Sequence, residues 1–277
     1  MSLFHDRMDF MTLIDGIPSH AVSTNDRGLL YGDGVFRTLK RAAGVTHCWT
    51  RQYAKLAADC AALNLRCPDA ALLAAELAQL PADCVAKIIV TRGPGTRGYA
   101  VAADAMPTRI VTASALPDYP ESHYTSGVKV CLCSLRLASQ PRLAGIKHLN
   151  RLENVLARME WTDAAIAEGL LLDEAGNVIE GTMSNLFALR DGVLHTPDLS
   201  RCGVAGVQRE RILAFAAELG LKTRVAPLAL DELLAADEVM LCNSVIGLWP
   251  VREFNGRVWN GGAVGARLRA LLEGRDD

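Results

Sequence analysis

Hydrophobic and polar positions follow two rhythms along this chain, and the switches between them mark its elements. The run "MTLIDGIPS" is apolar up to Asp15-Gly16, a dipeptide suited to tight reversals, so a hairpin is expected there. "YGDGVFRTLKRAAGVTHCW" reads as a glycine-bounded strand, a turn at Gly44 and a second strand. Helical spacing follows in "RQYAKLAADCAALNL" and in "PDAALLAAELAQL", where Pro68 suits a first helical turn. "VAKIIVTRG" and "TRIVTASAL" are rich in β-branched residues and predict two strands separated by the loop "GPGTRGYAVAADAMP". This first half is an α+β unit.

The stretch Leu116–Gly127, "LPDYPESHYTSG", has two prolines and no periodicity and predicts a linker. It separates a smaller domain, 1–115, from a larger one, 128–277. In the larger domain "VKVCLCS" predicts a strand. In "LAGIKHLNRLENVLAR" a helix is expected from near Asn150, because Asn150 and Glu153 make a capping-box pattern and Leu152, Val155, Leu156 and Met159 recur at helical spacing. "GLLLDEAGNVIEGTMSNLFALRDGVLHTP" alternates short strands with turns at Ala175-Gly176-Asn177 and Asp191-Gly192. Helices at "GVQRERILAFAAELG" and "ALDELLAAD", a strand "EVMLCNS", a hairpin at Asn255-Gly256 and a helix "AVGARLRALLEG" complete it. With no repeat of 20–50 residues, the pattern predicts a mixed sheet wrapped by helices, and the chain as a whole is of the α/β (α+β) class.

Composition narrows the function. Of 277 residues 50% are apolar, and the formal net charge is -2; mean hydropathy is +0.16 and the pI about 6.3. A large core is available, and no basic footprint marks the chain for nucleic acid or an anionic membrane. Small-molecule chemistry is the remaining expectation. The eight cysteines are scattered. Cys131 and Cys133 alternate along one strand with no partner cluster, so they read as reduced core residues and no metal site is expected. Asp6, Arg7 and Asp9 interrupt the opening stretch, so no secretory segment is expected there, nor an apolar run of membrane-spanning length anywhere. The expectation is a soluble cytoplasmic protein.

Candidate chemistry collects at five places. Lys147 is flanked by apolar Leu143 and Ile146, either with its stem on apolar surface and its ammonium in water or as a partly desolvated, reactive amine. Glu180 follows Val178-Ile179 in a strand and is either an exposed edge carboxylate or a functional one. In "RCGVAGVQRERIL" two glycines precede an amphipathic helix, whose first N–H groups suit a phosphate as well as they suit a plain helix entry. "VMLCNSVIG" brings Asn243 and Ser244 to a strand end. "RGPGTRGY" puts Arg92, Arg97 and Tyr99 in one loop, a surface loop or a carboxylate-binding one. Taken jointly, a lysine, a carboxylate and a phosphate-type helix entry are what pyridoxal phosphate requires: an amine to hold the aldehyde, an acceptor to keep the pyridine nitrogen protonated, and amides for the phosphate.

The order Lys147, Glu180, "GVAGVQR" and "CNS" resembles the fold-type IV pyridoxal-phosphate enzymes, a group that includes branched-chain and D-amino acid aminotransferases and aminodeoxychorismate lyases. "GIKHLNRLEN", "RGPGTRGY" and "NDRGLLYGDGVF" are most similar to the lyases, and the likeness runs from about Leu13 to Val251. The resemblance implies a two-domain fold with pyridoxal 5'-phosphate, Lys147 as the Schiff-base lysine, and Glu180 on the pyridinium. It implies phosphate contacts from the amides of Val207 and Gln208 with Ser244, and Asn243 beside them. It also implies a homodimer. Thr38 is a substrate-side candidate by the same likeness, and Arg92, Arg97 and Tyr99 are candidates for substrate carboxylates. Two positions depart from the pattern. "QYAKL" offers Gln52 and Lys55 where relatives read His-x-x-Arg-Leu, which leaves Lys55 to carry the phosphate charge without a bidentate fork. Arg37 stands where relatives often have Glu. The expected activity is conversion of 4-amino-4-deoxychorismate to 4-aminobenzoate, a folate precursor, and pyruvate. The alternatives are an aminotransferase on the same scaffold or a cofactor-free binding protein.

Overall fold

The computed structural model describes residues 11–276, and the charged opening stretch with Asp6, Arg7 and Asp9 lies outside them. Two compact units are resolved, one up to Pro117 together with Lys147–Asn150, the other Asp118–Ile146 with the chain from Arg151 onward.

The first unit runs β1 (Thr12–Ile14), β2 (Ile17–Pro18), α1 (Arg27–Tyr31), β3 (Gly34–Ala42), β4 (Val45–Thr46), α2 (Trp49–Ala62), α3 (Ala70–Leu77), β5 (Cys84–Thr91) and β6 (Arg109–Ser114). Its strands form one sheet in the order β2-β1-β6-β5-β3-β4, each pair antiparallel. Asp15 and Gly16 turn β1 into β2 with positive φ at both (52° and 83°), the geometry in which turn twist matches strand twist. Along β3 the pleat sends Val35, Arg37, Leu39 and Arg41 to a buried face and leaves Phe36 and Thr38 half-buried on the other. The α2 positions buried at helical spacing are Gln52, Leu56, Asp59 and Cys60. Pro68 lies ahead of α3 rather than inside its first turn, because Asp69 is the N-cap.

Lys147–Asn150 belongs to this unit by hydrogen bonding. The N–H of Phe36 donates to the Lys147 carbonyl (2.9 Å) and the N–H of Leu149 to the Gly34 carbonyl (3.0 Å), so Val35 and His148 pair as a bridge. The space is open because β4 pairs only with Arg41 and Ala42 at the far end of β3.

The second unit runs α4 (Ser122–Thr125), β7 (Val128–Leu137), α5 (Leu152–Arg158), β8 (Ile166–Asp173), β9 (Val178–Gly181), β10 (Asn185–Arg190), β11 (Val193–Pro197), α6 (Val207–Glu218), β12 (Lys222–Ala226), α7 (Leu230–Leu234), β13 (Glu238–Asn243), β14 (Gly247–Phe254), β15 (Arg257–Val258) and α8 (Ala263–Gly274). The sheet order is β12-β11-β10-β13-β14-β7-β8-β9, with β15 beside β14. A three-residue turn joins β9 to β10 although they stand far apart in that order, so the sheet curls back on itself. Ile212, Phe215 and Leu268 of α6 and α8 pack on Phe187, Met240 and Leu248.

The helix expected from near Asn150 begins at Leu152, with Arg151 as N-cap and no side-chain cap. Asn150 Nδ2 instead donates to the Gly32 carbonyl (3.3 Å), and Glu153 Oε1 accepts from the Ala138 N–H (3.0 Å), so tertiary partners take both halves of the capping box. The apolar positions that signalled this helix are open to solvent, Leu152 at 68% and Met159 at 71%. Within the stretch expected to be a linker, 116–127, the rings of Tyr119 and His123 pack edge-on against buried Trp249 at 4.8 and 5.0 Å, which anchors it. All eight cysteines are free thiols.

Candidate active site

In the first unit, Lys147 meets the half-buried face of β3. Its Nζ lies 4.6 Å from the centroid of the Phe36 ring, within cation–π range, and Lys87 Nζ lies 4.8 Å from the same ring. Thr38, two residues from Phe36 and on the same face, pairs in register with Lys87. Lys147, Thr38 and Lys87 are therefore brought together, and Lys87 is a cation that local pattern did not single out.

On the other face lies Asp59. Its Oδ2 accepts from Arg37 Nη1 (3.3 Å) and from the backbone N–H of Lys147 (3.3 Å), and its Oδ1 is in contact with Lys55 Nζ. Burial pushes the Arg37 guanidinium down from its ordinary value while Asp59 pulls it back. Arg37 and Lys55, the two departures in sequence, thus share one carboxylate.

The loop "RGPGTRGY" divides in two. Arg92, expected to meet substrate carboxylates, is buried and directs Nε to Asp33 Oδ2, Nη1 to the Asn64 carbonyl and Nη2 to the Leu63 carbonyl, each at 2.8 Å. Its donors tie β5 to the end of α2. Burial raises the Asp33 carboxyl, but Arg92 and Arg27 overrule it and hold it below the usual range. Arg97 and Tyr99 are exposed. Their loop is fastened by buried Arg27, which donates to the carbonyls of Gly98 (2.9 Å), Tyr99 (3.2 Å) and Ala100 (3.3 Å).

In the second unit, Glu180 is buried at 3% exposure, and its Oε2 accepts from the Val204 N–H at 2.8 Å. Asn185 holds the same loop from the other side, with Nδ2 on the Val204 carbonyl (2.7 Å) and Oδ1 accepting from the Gly206 N–H (3.0 Å). These two side chains aim the entry to α6. Gly206 is its N-cap and no side chain caps the helix, so the first-turn amides of Val207 and Gln208 are not taken by a cap. A Cβ at Gly206 would stand 2.4 Å from Asn185 Oδ1. An uncapped helix entry that excludes a side chain fits an anion such as phosphate. Arg209, beside it, donates to Thr196 Oγ1 (3.1 Å) and the Pro197 carbonyl (3.0 Å); burial lowers its pKa and the nearby Cys242, Asp198 and Glu180 raise it.

Asn243 builds the turn that carries Ser244. Its Oδ1 accepts from the N–H groups of Val245 (2.8 Å) and Ile246 (2.9 Å), and its Nδ2 donates to the Met183 carbonyl (3.0 Å). Asn243 therefore orders this turn. Beneath Met183 is Glu168, which the sequence reading passed over. Its Oε1 accepts from the N–H of Gly169 (2.9 Å), the N–H of Thr182 (3.0 Å) and Thr182 Oγ1 (2.5 Å). Its Oε2 accepts from the Met183 N–H (3.1 Å) and Ser184 Oγ (2.8 Å). The only local signal for Glu168 is a charge inside the otherwise apolar strand "AEGLLL".

The model of the amino-transferase class IV family matches residues 34–254. An aminodeoxychorismate lyase of Vibrio harveyi is 36% identical over 244 residues, 87% of this chain and 90% of that protein. A putative branched-chain-amino-acid aminotransferase of Methanocaldococcus jannaschii is 32% identical over 260 residues, 91% of this chain and 89% of that protein. The crystal structure of 4-amino-4-deoxychorismate lyase from Pseudomonas aeruginosa superposes with a TM-score of 0.92 at 48% identity, covering 95% of this chain and 98% of that one. Branched-chain amino acid aminotransferase of Escherichia coli, at 22% identity and a TM-score of 0.83 over 96% of this chain and 94% of that one, shares the fold.

Proposed function

The chain belongs to the amino-transferase class IV family, and from that membership we propose that it is a pyridoxal-phosphate-dependent lyase converting 4-amino-4-deoxychorismate to 4-aminobenzoate and pyruvate. The observation that carries this reading is the 48% identity to a solved 4-amino-4-deoxychorismate lyase across nearly the whole of both chains. The aminotransferase reading is favoured by one observation, the 32% identity to a putative branched-chain enzyme.

Lys147, Glu180, Lys55, the amides of Val207 and Gln208, and Ser244 are the residues that would hold the cofactor. When bound, pyridoxal phosphate supplies an electron sink for the carbon that bears the substrate's amine. Glu180, buried and accepting from the Val204 N–H, would accept the N–H of a pyridinium ring. The α6 entry supplies amides with a positive dipole end for the phosphate. With the cofactor bound, the amine of Lys147 would take the proton from the amine-bearing ring carbon. The neighbouring enolpyruvyl group then leaves and is protonated to pyruvate, and the ring becomes aromatic. Aromatisation favours the elimination, so these residues mainly orient and hold charge. Arg92 and Arg97, with Lys87 on the Thr38 side of β5, are our candidates for the two substrate carboxylates, and Thr38 and Tyr99 for the rest of the substrate pocket.

A homodimer is part of the same reading. The open apolar stripe Leu152, Val155, Leu156 and Met159 supports it, because contiguous apolar surface on a folded chain marks an interface. Among the described residues no helix is long and apolar enough to cross a membrane, and a cytoplasmic enzyme serving folate synthesis is the setting we propose.

The test uses purified holoenzyme with aminodeoxychorismate as the only added substrate. Pyruvate and 4-aminobenzoate should accumulate in equal amounts over many turnovers, because no second substrate is needed to regenerate the cofactor. No pyruvate, together with amino exchange between a simple amino acid and 2-oxoglutarate, would establish the aminotransferase instead.

A further inference from the structure

We infer that Asp59 is a positioning residue for the cofactor lysines: one carboxylate sets the backbone of Lys147 and the ammonium of Lys55, with Arg37 as the counter-charge that permits its burial. The inference rests on the reading of the chain as a pyridoxal-phosphate enzyme.

Asp59 is 1% exposed and Arg37 3%. An ionised carboxylate at that depth persists only with an opposite charge and hydrogen bonds around it. Arg37 answers the charge, yet imperfectly, since its Nε has no hydrogen-bond partner among the described residues. If the pair were only structural, one cation would suffice. Asp59 instead serves three donors from three places in the chain: Arg37 on β3, Lys55 one helical turn back on α2, and the N–H of Lys147 at the start of the Lys147–Asn150 segment.

The Lys147 contact determines direction. Its carbonyl is already bonded to the Phe36 N–H at 2.9 Å, and Asp59 takes its N–H. With both backbone groups anchored, the Cα–Cβ bond is fixed and the amine is delivered to the Phe36 side of β3, where Nζ lies over the ring. The Lys55 contact determines charge. Arg37, Lys55 and Asp59 sum to a single positive charge, the charge that the resemblance expects from one arginine at the place of Lys55. A flexible ammonium held by a buried carboxylate thereby stands in for a rigid guanidinium.

The test compares wild type, the double variant Arg37→Met/Asp59→Leu, and Lys55→Met. Each is prepared as apoprotein, melted, and titrated with pyridoxal phosphate by visible absorbance. The double variant removes the buried pair as a pair, so its apoprotein should melt within about 5 °C of wild type. Its Kd for pyridoxal phosphate should nevertheless rise tenfold or more, roughly the loss seen when an outer-shell partner of a ligand is removed. Lys55 is partly exposed, so Lys55→Met should fold and also bind more weakly. A double variant that melts normally and binds the cofactor with the wild-type Kd overturns the inference. Should the double variant not fold, Lys55→Met decides, and a wild-type Kd there overturns it equally. Failure of the wild-type protein to bind the cofactor at all would instead overturn the functional reading on which the inference rests.

Discussion

Replacing Glu168 with glutamine isolates the buried carboxylate that holds the Thr182–Ser184 turn. Glu168 is 1% exposed and accepts five hydrogen bonds, three on Oε1 and two on Oε2. With its carbonyl in the Oε1 position, glutamine keeps those three acceptances. Its amide nitrogen then faces the Met183 N–H, donor against donor, while the Ser184 hydroxyl rotates to accept. One buried N–H is left without a partner, at a cost of about 1–3 kcal/mol. Loss of the charge on the remaining bonds adds to that, and relief from burying an ion subtracts, so the expected net is about 1–3 kcal/mol of destabilisation. Leucine would leave three N–H groups without an acceptor, roughly 3–9 kcal/mol, comparable to the whole stability of a domain. Glutamine is therefore the measurable change. Urea unfolding of the apoprotein, followed by tryptophan fluorescence, reads it, since Trp161, Trp249 and Trp259 all lie in the second unit. The pH dependence has a sign. Burial pushes the Glu168 carboxyl above its ordinary value of 4.5, against the pull of Thr182, Gly169, Ser184 and Met183. A group whose pKa is higher folded than unfolded stabilises most below the unfolded value, and the contribution is lost as pH rises through the folded one. Glutamine does not titrate, so the wild-type advantage should narrow as pH rises above 4.5. A gap below about 0.5 kcal/mol, the size expected of an inconsequential surface change, or a gap that widens with pH would refute this account of the turn.

Lys147→Ala should abolish the covalent cofactor link and nearly all turnover, and borohydride reduction of the wild-type holoenzyme should leave the pyridoxyl group on the peptide containing Lys147; finding it on Lys55, Lys87 or Lys129 overturns that assignment. Glu180→Gln should retain cofactor but turn over on the order of 10²-fold more slowly, the usual loss for one electrostatic stabiliser, and wild-type rates would show that Glu180 has no catalytic part. Gly206→Ala should weaken cofactor binding in equilibrium titration, because the new Cβ would sit 2.4 Å from Asn185 Oδ1 and push the α6 entry out of place; an unchanged Kd would remove that entry from the phosphate site.

What the sequence by itself determined is what local chemistry controls. The Asp15-Gly16 and Asn255-Gly256 reversals, the β-branched strands β5 and β6, and the helices α2 and α6 each depend on neighbours within a few residues, and each stands where the pattern puts it. The order of Lys147, Glu180, "GVAGVQR" and "CNS" was legible for the same reason: motifs survive as short strings. The tertiary structure decided which polar groups remain available once the faces meet. Arg92 and Arg97 are five residues apart in one loop, yet Arg92 has all three guanidinium nitrogens engaged by Asp33 and the end of α2, while Arg97 is exposed. Asn150 and Glu153 form a capping box on paper, but Gly32 and Ala138 claim them. Asp59 and Glu168 gave no motif at all. Their partners lie up to 88 and 16 residues away, and a buried carboxylate is defined by the donors around it, most of which lie outside any local window.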